Sequence, residues 1–514
     1  MPNYFQVLGV SLLGLMLVKS CDKAPKYVKP SAPTPPAYKE IGPDAFKETD
    51  GWKFARPSDG AIRGHWWEMF EDPQLNALEQ QLNSANQNIA LADANFRAAR
   101  AVVKESRSLQ FPTVTTSPSI IVSRQSGAST HSNVSPGRQS VTYTLPIDAT
   151  WEPDFWGRIR NTVIASASEA QATAADLQNV RLSVEAELAF DYYQLRSVDA
   201  EKRLLDSTIM AFQQQLDLTR VRQQTGIASD EDVAQAETQL ETTQAQATDL
   251  GIQRAQLEHA IAILTGQAPA TFTLAAAPAN VPVNTPSNAS TNTPLSVPVN
   301  APLNVAFDAT PPAIPVGLPS QLLERRPDIA AAERRVAEAN ADIGVARAAF
   351  YPSLTLGATG GFESTSLASW FTWPARFFSL GPTLSQTLFD KGRRKAVTEA
   401  ARAQYDATVA NYRQTVLTAF QEVEDNIAAL RILSRELEEQ NAAVASAQRT
   451  LSLSTERYKS GIDSYLNVIT AQTTLLNNQR TAVNLQMQQM TASVELIKAL
   501  GGGWDASQLP TRLK

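Results

Sequence analysis

One side chain in this sequence has the type and setting for covalent chemistry. Cys21 is the sole cysteine of 514 residues. The only long apolar run, Val7 to Val18 (VLGVSLLGLMLV), ends just before it, at Val18-Lys19-Ser20-Cys21. That run is too short to span a membrane and has the length of a signal-peptide core. A small residue followed by cysteine after such a run is the pattern of a lipidation site. The sulfur takes diacylglycerol, and cleavage frees the amine for acylation. The alternative is a signal peptide cleaved nearby, with Cys21 incidental. Either way residues 1–20 read as an export signal. No cofactor is expected beyond a covalent lipid on Cys21.

Other chemistry finds little support. A lone cysteine forms no internal disulfide framework and no Cys-rich zinc site. His65, His131 and His259 lie far apart and form no HExxH pair, so no metal site is expected. There is no GxSxG, no P-loop and no GxGxxG leading into a helix, which argues against an enzyme. A net charge of −6, from 45 Lys+Arg and 51 Asp+Glu, argues against nucleic acid as partner. The acidic residues that draw notice are Asp230, Glu231, Asp232 and Asp463. Each follows a glycine turn and precedes a helical run. Helix capping explains them, since carboxylates are favoured at helix N-termini. Charge gathered around an entrance, favouring cations, is a second role.

These residues are positioned by an internal repeat. Asn88-Ile89 … Phe111-Pro112-Thr113-Val114 matches Asp328-Ile329 … Tyr351-Pro352-Ser353-Leu354. Gly157-Arg158 matches Gly392-Arg393 further on. Arg222 … Gly226-Ile227 … Ser229 … Val233 matches Arg457 … Gly461-Ile462 … Ser464 … Val468. The chain divides into a signal (1–20), a lipid-anchored extended arm rich in Pro (21–65), a first repeat (66–267), a linker (268–318), a second repeat (319–504) and a tail (505–514). The linker holds ten of the thirty prolines and one charged residue, Asp308, so it lacks the pattern for a core of its own.

Each repeat reads as helix, strand, loop, strand, very long helix, turn, long helix. Arg158 to about Gln224 and Arg393 to about Ser460 contain neither Pro nor Gly. At about 1.5 Å per residue each would reach on the order of 100 Å. Leu177, Val180, Val184, Leu188, Tyr192 and Leu195 keep coiled-coil spacing, as do Val409, Tyr412, Val416, Phe420, Val423, Ile427 and Leu430. Gly226 and Gly461 end these helices. The strands alternate: Val141, Tyr143, Leu145, Ile147, Ala149 and Trp151 are apolar between polar neighbours, and Leu354, Leu356, Ala358, Gly360 and Phe362 repeat the pattern. Two weaker strands carry Val114, Ile120 and Val122, and Leu380, Leu384 and Leu388. This fits membrane-spanning strands as well as a half-buried sheet. Four strands cannot close a transmembrane barrel, which needs about eight, whereas three chains would supply twelve.

Several motifs resemble the TolC/OprM-like outer membrane efflux proteins, in their NodT-like lipoprotein branch. They are Trp66-Trp67 … Phe70 … Asp72-Pro73 … Leu75 … Leu78, Leu318-Pro319 … Glu324-Arg325-Arg326-Pro327-Asp328-Ile329, Ala348-Ala349-Phe350-Tyr351-Pro352, Ala419-Phe420-Gln421-Glu422-Val423 and Ala499-Leu500-Gly501-Gly502-Gly503-Trp504. The resemblance implies a mainly α fold with a small β part. Long antiparallel coiled-coil hairpins and four strands per chain would form, in a homotrimer, a twelve-stranded transmembrane β-barrel and an α-helical periplasmic tunnel. It implies an outer membrane duct of a tripartite efflux system, partnered by a periplasmic membrane-fusion adaptor and an inner-membrane RND-type pump. Cys21 matches the lipidated cysteine. The turns at Gly226, Ile227, Gly461 and Ile462 would be the tips that meet the adaptor. Some relatives carry a gating Asp where this chain has Thr470. A type I protein-secretion duct and a periplasmic coiled coil without a pore are the competing readings.

Overall fold

The computed structural model describes residues 24–40, 64–124, 139–275, 310–314, 316, 320 and 322–510. The signal segment, Cys21 and most of the linker lie outside the described residues. Helices dominate. In the first repeat α1 is Pro73–Ala85, α2 Gln87–Ser108, α3 Arg158–Gln224 and α4 Asp230–Leu264. In the second, α5 is Leu322–Arg325, α6 Pro327–Ala348, α7 Arg393–Lys459 and α8 Tyr465–Ala499. Both long helices run 67 residues and both returning helices 35, so the repeat holds in element length. No helix among the described residues is long and apolar enough to cross a membrane.

α3 packs on α6, α4, α2 and α8, and α7 packs on α8 and α6. Small residues permit this. Ala170, Ala172, Ala175, Leu188, Ala189 and Leu195 on α3 are buried, as are Ala331, Ala332, Val336 and Ala341 on α6. Most of the seam read from the sequence is buried; Val180 and Val409 are only half-buried.

The strands are β1 (Thr113–Thr116), β2 (Ser119–Arg124), β3 (Gln139–Trp151), β4 (Ser353–Ser364) and β5 (Arg376–Ser385). All pair antiparallel in the order β1/β2–β3–β4–β5. The first strand thus occupies one position in two pieces. Thr116 pairs with Ile147 and Ser119 with Thr144, so register continues across the gap, which puts Ser117 opposite Pro146 and Pro118 opposite Leu145. Two prolines remove the ladder donors there. Thr116 Oγ1 instead donates to the Pro146 carbonyl at 2.7 Å. At the other edge β5 stops at Ser385, short of Leu388, which is exposed.

The arm and the linker are tied down where they are described. Asn340 Nδ2 donates to Pro25 O at 2.9 Å, Tyr27 Oη to Glu333, and Arg413 Nε to Ser31 O at 3.2 Å. The Lys39 and Glu40 amides both donate to the Glu424 carboxylate. The arm therefore runs along α6 and α7, with Tyr38 buried. Leu274 and Ile314, flanking the rest of the linker, are also buried. Arg254 donates to Leu274 O at 2.7 Å and Arg196 to Ala275 O at 3.0 Å.

Candidate functional site

The sheet has two chemically opposed faces. Register places Val114, Ile120, Val122, Tyr143, Leu145, Ile147, Ala149, Leu354, Leu356, Ala358, Phe362, Phe378, Leu380 and Leu384 on one side. Many are exposed: Leu380 by 75% and Ile147 by 56%. The other side carries Thr113, Thr115, Ser119, Ser123, Thr142, Thr144, Asp148, Thr150, Thr355, Thr359, Ser379 and Thr383. A thirteen-residue strand such as β3, at about 3.3 Å per residue and tilted by about 40°, rises roughly 33 Å, enough to cross a hydrocarbon layer of about 30 Å. The apolar face suits lipid and the polar face suits water. Yet β1/β2 and β5 leave unpaired backbone groups along both edges of the sheet, which lipid does not tolerate.

The sheet is tight where β3 meets β4. Gly361 pairs with Pro146, and a Cβ on it would lie 2.0 Å from the Leu145 carbonyl oxygen. Only glycine fits there.

At the far end of the helices the two turns share one geometry. Gly226 has φ of 77° and Gly461 of 73°. Ile227 N donates to Arg222 O at 2.8 Å and Gly226 N to Gln223 O at 2.9 Å. Ile462 and Gly461 repeat both bonds, each at 3.0 Å. This is the Schellman closure, in which an apolar residue after the glycine usually folds back on its own helix. Here the residue it would meet is an arginine in both repeats. Ile227 and Ile462 instead stand 66% and 69% exposed.

The acidic residues divide between two settings. Ser229 and Asp232 form a reciprocal capping box, Ser229 N donating to Asp232 Oδ2 at 2.9 Å and Asp232 N to Ser229 Oγ at 3.1 Å. Asp230 accepts from Gln223 at 2.8 Å and Glu231 from Gln235 at 3.1 Å. All these bonding partners are neutral. Asp463 instead accepts from Arg457 Nε at 3.1 Å and from Asn467. The Asn467 amide and then the Arg457 guanidinium hold its carboxyl below the usual range. The hairpins are joined just behind the tips. Arg222 lies 4.5 Å from the Tyr458 ring centroid and donates to Lys459 O at 3.3 Å. Phe212, Leu216, Leu240, Tyr458, Tyr465 and Val468 form a shared apolar cluster.

A belt part-way along the helices gathers motif and seam residues around two carboxylates, Glu79 and Glu185, that sequence reasoning missed. Asp72 caps α1, accepting from Gln74 N at 2.9 Å and Leu75 N at 3.1 Å, while Tyr192 Oη donates to it at 2.6 Å. Trp66 and Trp67 are buried, and Trp66 Nε1 donates to Glu185 at 3.1 Å. Glu79 is fully buried and neither carboxyl oxygen has a hydrogen-bond partner. Burial, then the charge of Glu185, pushes its carboxyl well above the ordinary range. Among the described residues no group of three His, Cys, Asp or Glu is placed to hold a metal.

The sequence profile of outer membrane efflux proteins matches residues 78–267 and 318–502, the two repeats. The chain belongs to the outer membrane efflux protein family. Its curated relatives include the solvent efflux pump outer membrane protein SrpC of Pseudomonas putida, 29% identical over 97% of this chain and 99% of that one. The pyoverdine export outer membrane protein OpmQ of Pseudomonas putida is 31% identical over 94% and 96%. Among solved structures, the outer-membrane channel OprN superposes with a TM-score of 0.81 at 29% identity, covering 94% of this chain and 100% of that one. The fold is therefore that of an outer-membrane channel. Within the family, the two-faced sheet is the membrane wall and the helical hairpins are the periplasmic part.

Proposed function

We propose that three copies of this chain close one twelve-stranded barrel and form a passive duct, without catalysis of its own. The duct would carry small molecules outward from a periplasmic adaptor and an inner-membrane RND-type pump. The observation that carries this reading is the sheet: apolar on one face, polar on the other, with two open edges. Joining β5 of one copy to β1/β2 of the next satisfies those edges and keeps strand direction alternating around the ring. The relatives' names, solvent efflux and pyoverdine export, support small-molecule cargo. Ile227 and Ile462 are the apolar knobs offered to the adaptor, set by Gly226 and Gly461. Asp230, Glu231 and Asp232, with Asp463, give the entrance its negative field.

Cys21 would carry lipid, and the arm supports this. Ala24 lies against Gly344 and Asn161, where a Cβ on Gly344 would be 2.7 Å from the Ala24 Cβ. Gly344 is near the end of α6, just before β4, and Asn161 begins α3, just after β3. The first described residues of the arm thus lie at the junction of barrel and helices. An acyl chain attached shortly before Ala24 would enter the periplasmic leaflet.

Purified protein should be a trimer by mass measurement in detergent and should conduct in planar bilayers. A stable monomer as the only species would overturn the proposal. Ile462→Asp with Ile227→Asp should abolish drug efflux in cells while trimer level and bilayer conductance stay unchanged. Retained efflux would remove the docking role of the tips.

A further inference from the structure

The described strands carry four charged residues, and their signs are sorted by face. Asp148 and Glu363 lie on the polar face, whereas Arg124 and Arg376 lie on the apolar face. Each arginine is the terminal residue of its strand, at the end remote from the helices: Arg124 closes β2 and Arg376 opens β5. Neither forms an ion pair among the described residues. The sequence from Ser119 to Ile147 has no Asp or Glu, and neither has Ser364 to Phe389. Among the described residues, the apolar side of this rim therefore carries the two arginines and no carboxylate. Arginine on the lipid face is costly at mid-membrane and nearly free at the interface, which fits residues at strand ends.

An aromatic ledge lies beside Arg376. The β4–β5 connection folds back over the apolar face, with Trp370 5.5 Å from Tyr143 and Phe371 5.7 Å from Phe362 between ring centroids. Trp370 and Phe371 stack at 4.8 Å. The Arg376 guanidinium lies over the Trp373 ring. Trp373 is 78% exposed and Phe378 89% exposed.

Sheet order makes β1/β2 and β5 the two edges. When copies join, Arg376 of one copy and Arg124 of its neighbour come to the same rim. We infer that this seam is a binding site for a phosphorylated, acylated sugar lipid of the outer leaflet. The two arginines hold phosphate, Phe371 and Trp373 offer faces to the sugar, and Phe378 and Leu380 line the acyl chains. The chemistry matches part by part: Arg pairs with phosphate through bidentate charge-assisted hydrogen bonds, and the exposed Trp373 supplies an amphipathic interface anchor. The inference rests on the trimeric barrel proposed above.

The test uses delipidated wild-type trimer in detergent and its Arg376→Gln and Arg124→Gln variants. Bis-phosphorylated lipid A, its dephosphorylated form and inorganic phosphate are titrated separately. Binding is read by native mass spectrometry, and bilayer conductance confirms that each variant is still a closed barrel. Wild type should bind up to three bis-phosphorylated molecules. Either variant should weaken binding at least tenfold at unchanged conductance, the dephosphorylated lipid should bind at least tenfold more weakly, and Arg376→Lys should recover part of the loss. Glu363→Gln, on the polar face, should leave binding unchanged. Equal binding by wild type and both variants, or of lipid with and without phosphate, would overturn the inference while leaving the barrel intact. Saturation by inorganic phosphate at concentrations equal to the lipid would also overturn it, by showing a free-anion site. Absence of trimer or conductance in wild type would instead sink the barrel reading.

Discussion

Glu79 tests how the belt grips α3. Its carboxyl is fully buried on α1 with no hydrogen-bond partner, and burial followed by the Glu185 charge raises its pKa above the ordinary 4.5. Burial raises Glu185 as well, while bonds from Asn83 and Trp66 and the charges of Arg181 and His65 pull it back. Glu79 thus carries the larger burden. A carboxyl whose pKa is higher folded than unfolded binds more protons in the folded state. Its stabilisation is complete below about pH 4.5 and is lost as pH rises to the folded value. One proton changes the opening free energy by about 1.4 kcal/mol per pH unit, a factor of ten in the opening equilibrium. Glu79→Gln keeps the shape and removes that titration. Hydrogen exchange reads the opening of α1 directly, and protection factors divide out the intrinsic pH dependence. Wild-type protection at the Leu78 and Leu82 amides should fall by up to tenfold per unit as pH rises above 4.5. Glu79→Gln should give a flatter profile with greater protection near pH 8, and Glu79→Gln with Glu185→Gln a flat one. Wild-type protection equal at pH 5 and pH 8, or a Glu79→Gln profile parallel to wild type, would refute the argument.

Gly361→Ala forces a Cβ against the Leu145 carbonyl, so β3 and β4 must separate; trimer yield in the outer membrane fraction should collapse, whereas Gly381→Ala, with nothing near its Cβ, should assemble. Asp463 is offset by Arg457 while Asp230, Glu231 and Asp232 have neutral bonding partners. Asp232→Ala should therefore lower cation selectivity in single-channel recordings more than Asp463→Ala does. If neither moves it, the acids serve only as caps. Cys21→Ser should lose incorporated palmitate yet stay with the membrane, because a barrel holds more strongly than acyl chains; a soluble variant would contradict the barrel.

The sequence was most informative where period and punctuation agreed. Arg158 to Gln224 offered no proline or glycine to stop a helix and a glycine to end it, and the helix has those bounds. Strand phase was readable because the membrane demands one apolar face throughout. The break at Ser117-Pro118 was less visible, since it depends on Pro146 arriving opposite, a pairing thirty residues away in the chain. Glu79 had a signal that was missed: it sits among Leu75, Leu78 and Leu82, in the middle of the buried face of α1. A carboxylate with leucines at i−4, i−1 and i+3 shares the apolar face of its helix. The docked arm was illegible for another reason. Its contacts are mostly backbone groups meeting side chains some 300 to 390 residues away, and such bonds leave little pattern in side-chain types.

The matched lengths of the two hairpins have a consequence for symmetry. Because α3 equals α7 and α4 equals α8 in residue count, the turns at Gly226 and Gly461 end at the same depth, side by side. Threefold assembly then yields a ring of six turns that is only approximately sixfold. Around it, the turn Gly226-Ile227-Ala228-Ser229, followed by Asp230, Glu231 and Asp232, alternates with Gly461-Ile462-Asp463-Ser464, followed by Tyr465, Leu466 and Asn467. A partner ring of six identical subunits would meet two unlike seats in alternation. Two repeats in one chain give each copy two seats that need not be the same. One set can hold the partner while the other diverges, a freedom that six separate identical hairpins would not have.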